Sequence, residues 1–122
     1  MNQATAEPLD LIDLQLRELV AFDALAGGDG NRRDVRFLLV SVRCGLHLVD
    51  AGFGDEAARD TLDRAHSALR ALWDGRNCLE NFPTDAAGMR HLRESLAIHE
   101  SQRREAPRAT LDRCIAASVL GL

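Results

Sequence analysis

Three of the four histidines stand three residues from an acid: His47 before Asp50, Asp63 before His66, and His91 before Glu94. On a helix that spacing puts both side chains on one face. Carboxylate and histidine side chains on facing helices are one way a bundle holds metal. The fuller di-iron pattern needs two Glu-x-x-His motifs plus two more glutamates, and no Glu-x-x-His occurs. His47, Asp50, Asp63, His66, His91 and Glu94 therefore serve only an alternative reading, a small-molecule- or metal-binding bundle. No metal and no cofactor is expected. His99 falls on the apolar stripe of its segment, where a hydrogen-bonded core histidine is the simpler expectation than a ligand or a base.

Other chemistry finds less. Cys44 lies three residues from His47, but a nucleophilic thiol needs a base, an orienting group and exposure, and no third member is evident. The serines have no Gly-x-Ser-x-Gly context. Gly27-Gly28-Asp29-Gly30 lacks the Gly-Lys-Ser/Thr ending of a phosphate loop and follows a helical segment, so it reads as an inter-helix loop. Cys44, Cys78 and Cys114 form no Cys-x-x-Cys pair and read as free buried thiols of a reducing compartment. No catalytic residue is assigned, and an enzyme is not expected.

Two arginine groups bear on nucleic acid: Arg32, Arg33, Arg36 and Arg43, then Arg103, Arg104, Arg108 and Arg113. Arginine suits phosphate forks. The chain is nonetheless acidic, with 15 basic against 19 acidic groups and a net charge of −4, and it has no tyrosine for stacking. Phosphate-backbone binding wants a basic surface. Nucleic acid is thus not an expected partner, and a DNA-associated regulator is the third reading. Arg32, Arg36, Arg43 and His47 remain the one basic stripe. All the basic residues are arginine and none is lysine, which suggests a GC-rich genome, bacterial or that of a mobile element.

The elements that must position these groups are helices. Leucine and alanine supply 37 of the 122 residues, and valine and isoleucine are sparse, which favours helix over sheet. Glycine and proline punctuation predicts five segments: about 8–26, 32–51 with Asn31 as N-cap, 55–74, 84–105 with Thr84 as N-cap, and 109–120. The link 76–83 is expected to cross the bundle with Leu79 and Phe82 tucked inward. The expected fold is all-α, a compact bundle of four main helices plus a short C-terminal fifth. Residues 1–7 are expected to be a flexible tail and 8–122 one domain. The first residues carry no signal-peptide pattern, and the apolar stretch 37–49 is too short and too polar for a bilayer, so a cytoplasmic protein with no membrane partner is expected.

Within these segments, Ala58, Leu62, Ala65, Leu69 and Leu72 make one narrow stripe. The opposite face predicts Arg59–Asp63, Asp60–Arg64 and Arg70–Asp74 pairs. The second segment is apolar except along its basic stripe and should be the central element. Gly45 within it predicts a close helix approach. Met89, Leu92, Leu96 and His99 form the stripe of the fourth segment, and Leu111, Ile115, Val119 and Leu122 that of the fifth, with Cys114 alongside. The fifth should either lie on the bundle or swap onto another subunit.

The first segment is apolar on two sides. Leu9, Ile12, Leu16, Leu19 and Val20 line one, and Leu11, Leu14, Phe22 and Leu25 the other. One side can enter the core, and the surplus calls for a partner. The expectation is that Leu11, Leu14, Phe22 and Leu25 form an interaction face. The leading reading is then a small non-catalytic regulatory or adaptor protein that binds itself as a homodimer or another, unidentified protein.

Overall fold

The computed structural model describes residues 8–74 and 86–120, with side chains from Asp13 onward in the first helix. Residues 1–7, Thr84 and the link with Cys78, Leu79 and Phe82 lie outside the described residues. Among the described residues there are five helices and no strand: α1 (Pro8–Ala26), α2 (Arg32–Asp50), α3 (Glu56–Asp74), α4 (Ala86–Glu105) and α5 (Arg108–Ser118). No described helix is long and apolar enough to cross a membrane.

Local chemistry accounts for the boundaries. Asn31 caps α2 by accepting from the Asp34 amide at 3.0 Å, while the Asp34 carboxylate accepts from the Asn31 amide at 3.0 Å. That reciprocal box satisfies two donors the helix start would leave unpaired. Past its C-terminal end, Gly52 takes φ +101°, a conformation side chains resist. Asp55 stands just before α3 and accepts from the Ala58 amide at 2.8 Å, so the third helix is capped by the residue at which the pattern starts it.

α2 packs against all four other helices. Val35, Leu38, Leu39, Val42 and Leu48 are fully buried on it, and only a narrow polar strip reaches solvent. Leu62, Ala65 and Leu69 of α3 and Leu92 and Leu96 of α4 complete the main core. α5 lies on α2 as a lid, with Leu111 and Cys114 against Cys44 and Leu48. At Gly45 a Cβ would stand 2.9 Å from a methyl of buried Leu62 and 3.1 Å from Gln102 Oε1, so the predicted close approach exists there.

Two expectations need correction. Arg59 pairs with Asp50 of α2, not with Asp63 on its own helix, because α3 lies alongside α2 and offers a carboxylate across the seam. Asp60–Arg64 and Arg70–Asp74 pair within α3 as expected, at 2.9 and 3.3 Å.

The second correction concerns α1, whose two faces are the reverse of the expectation. Phe22 and Leu25 are buried in the core with Ala21, and Leu14 is half-buried; the side chain of Leu11 is outside the described set. Leu16, Leu19 and Val20, expected in the core, are exposed. The reason is charge. The outer stripe carries Asp13 and Asp23 at helical spacing with Leu16 and Val20, so burying it would strip water from two carboxylates. The inner face carries one acid, Glu18, and Arg103 of α4 reaches it with both terminal nitrogens at 2.8 and 3.0 Å. One carboxylate with a bidentate partner can be buried; on the outer side Asp13 pairs only with exposed Arg17 of its own helix, and burial there would strip water from that pair and from Asp23 as well.

Candidate functional site

The outer side of α1 presents Leu16, Leu19 and Val20 as a ridge, with 56%, 45% and 67% of their surfaces exposed. A groove runs on each side. Toward α2 lies one of about 320 Å³, floored by Leu16, Val20, Ala21 and Phe37 and edged by Arg17, Arg33 and Asp34. Toward α4 lies one of about 340 Å³, floored by Leu19, Phe22 and Leu96 and edged by Asp23, Glu100 and Arg93, with Gln15 and Glu18 at its end. The Arg93 guanidinium sits 5.5 Å from the centre of the Phe22 ring, which holds it at the groove wall. Adjacent exposed leucine and valine with polar margins is the composition of a docking surface rather than of a reaction centre.

Beneath the ridge is a polar network that the sequence pattern did not reveal. Glu18 and Arg103 form an ion pair with both side chains only 3% exposed. One residue earlier, Gln102 donates through its Nε2 to the Gly45 carbonyl at 3.0 Å and to the Phe53 carbonyl at 2.7 Å. Its Oε1 is left to accept, so the His99 Nδ1 at 3.1 Å must carry the proton. Burial pushes the His99 ring down to about 4, with Arg103 adding to the effect and Glu18 and Gln102 opposing it. His99 is thus a neutral structural donor, as the apolar stripe suggested. Arg103 Nε is buried without a hydrogen-bond partner, so the guanidinium is held through its Nη groups. The one available signal was a run of polar residues, Gln102 and Arg103, continuing the α4 stripe past His99.

The other candidate groups are dispersed. Burial, and then the neighbouring Cys114, push the Cys44 thiol up to about 12, so it stays protonated and is no nucleophile. Burial also raises Cys114. Burial lowers the His66 ring, helped by Arg43 and Arg70. His91 reaches Glu94 only at 3.9 Å. Asp63 and His91 both line one shallow groove between α3 and α4. Among the described residues no three His, Cys, Asp or Glu side chains converge as a metal ion requires.

The basic stripe is largely engaged inside the molecule. Arg32 lies 3.9 Å over the Trp73 ring and donates to the Trp73 carbonyl at 3.1 Å. Arg43 donates to the Leu120 carbonyl at 2.7 Å, tying the end of the α5 segment to α2. Arg36 is exposed and His47 half-buried on the same helix.

Comparison with protein-family models, with curated proteins and with solved structures finds no match to this chain.

Proposed function

We propose that this chain is a non-catalytic helical interaction module, and that it works by self-association through the outer face of α1. The observation that carries the reading is the ridge of Leu16, Leu19 and Val20, three large apolar side chains exposed side by side above a core that is already closed beneath them. Burying such side chains against a partner contributes about 1.5–3 kcal/mol for each one fully covered. A second copy brings the same ridge and the same two grooves, which is what a twofold interface requires. The inert state of Cys44 and of His99 favours a binding role over a catalytic one.

Sedimentation equilibrium across a wide concentration range tests this. The wild-type chain should approach twice its 13.4 kDa mass. The Leu16→Glu/Val20→Glu variant should stay monomeric with unchanged helix content. A wild-type chain that remains monomeric at the highest concentration would overturn the reading.

A further inference from the structure

The two grooves beside the ridge carry opposite charge balances, and this constrains how two copies can meet. The α1–α2 groove is edged by Arg17 and Arg33 with one acid, Asp34. The α1–α4 groove is edged by Asp23 and Glu100 with one base, Arg93. In a face-to-face twofold pair the axis lies in the plane of contact. An axis running across α1 sets each groove against its own copy, basic on basic and acidic on acidic. An axis running along α1 sets the basic groove of each protomer over the acidic groove of the other. Resting on the self-association proposed above, we infer that two copies pair with their α1 helices parallel, the twofold axis running along them.

The heights of the charges along α1 agree with this arrangement, because a parallel pairing keeps equal heights together. α4 runs antiparallel to α1, since its later residue Arg103 meets Glu18 while its earlier residue Arg93 lies over Phe22. Glu100 therefore stands toward the Glu18 level, near that of Arg17. α2 starts just after the turn that ends α1, so Arg33 and Asp34 stand toward the Asp23 level. Parallel pairing then opposes Arg17 to Glu100, Arg33 to Asp23, and Asp34 to Arg93. Every one of these contacts is attractive, and the twofold axis repeats each of them. Arg17 and Glu100 now pair within their own helices, with Asp13 and Arg104. Exposed pairs of this kind exchange partners at little cost.

Charge reversal separates the two arrangements by sign. In sedimentation equilibrium, Arg17→Glu and Glu100→Arg should each weaken dimerisation roughly tenfold, and the double variant should recover most of the loss. Asp23→Arg with Arg33→Asp gives an independent swap should either first variant fold poorly. If the wild-type chain dimerises but Arg17→Glu tightens the dimer, or neither double swap recovers, the parallel pairing is wrong while self-association stands. A wild-type chain that never dimerises removes both.

Discussion

α1 and α2 are each 19 residues long and each carries apolar side chains over more than one side, yet one faces inward almost all round and the other is divided. α2 has neighbours on every apolar side, so its narrow polar strip has one place to go. α1 lies at the edge of the bundle, chiefly on α2 and α4, and its sequence offers apolar residues on both sides. Where both sides offer apolar residues, the desolvation of carboxylates is the term that separates them. The difference teaches that a surplus of apolar residues is visible in a pattern, while the side that holds the surplus is set by which charges find partners.

The strongest way to break this comparison is to remove the partner that permits the inner face. Glu18→Ala leaves Arg103 buried without its carboxylate and should destabilise the fold by about 3–5 kcal/mol in urea unfolding. Glu18→Leu with Arg103→Met should recover most of that, because two well-packed apolar side chains replace the pair. A Glu18→Ala chain as stable as wild type would mean that the ion pair does not orient α1.

Next in size is the contrast between the two faces. Leu25→Ala should cost about 2–5 kcal/mol through lost burial and a cavity. Leu16→Ala, measured in the monomer, should stay within about 0.5 kcal/mol. Equal losses would show that both faces are buried.

The smallest expected effect sharpens the seam between α2 and α4. His99 is pushed from its ordinary 6.5 down to about 4 by burial first, so between these values the unfolded chain binds a proton that the native chain refuses. Stability should therefore be intact above pH 6.5 and fall as the pH drops toward 4, by up to about 3 kcal/mol. The His99→Gln variant, which has no ring to protonate, should show a shallower decline over the same window. Identical slopes for the two proteins would show that His99 takes up its proton equally well folded and unfolded.

Much of the architecture was legible in particular residues. Asn31 and Gly52 mark the ends of α2 by their capping chemistry, and the 4-3-4-3 spacing from Ala58 to Leu72 marks the inner side of α3. Gly45 marked a close approach and has one. The candidate site was legible only in part. The surplus on α1 could be seen, but the exposed side is that of Leu16, Leu19 and Val20, and the assignment of Phe22 and Leu25 to the outside failed. Asp13 and Asp23 were the available clue, falling on the same helical stripe as Leu16 and Val20. The expected Arg59–Asp63 pair failed for a related reason: a carboxylate from another helix competes with one four residues away, and local spacing does not register it.

By itself, then, the sequence determined the helices, the capped starts of α2 and α3, the central position of α2 and the existence of unmatched apolar surface. These follow from periodicity and capping, which act within a few residues. Only the tertiary structure decided which side of α1 turns outward. Glu18 meets Arg103 across 85 positions of chain, and nothing near either residue announces the other. Their pairing puts Phe22 and Leu25 inside and leaves Leu16, Leu19 and Val20 as the surface on which the proposed function rests.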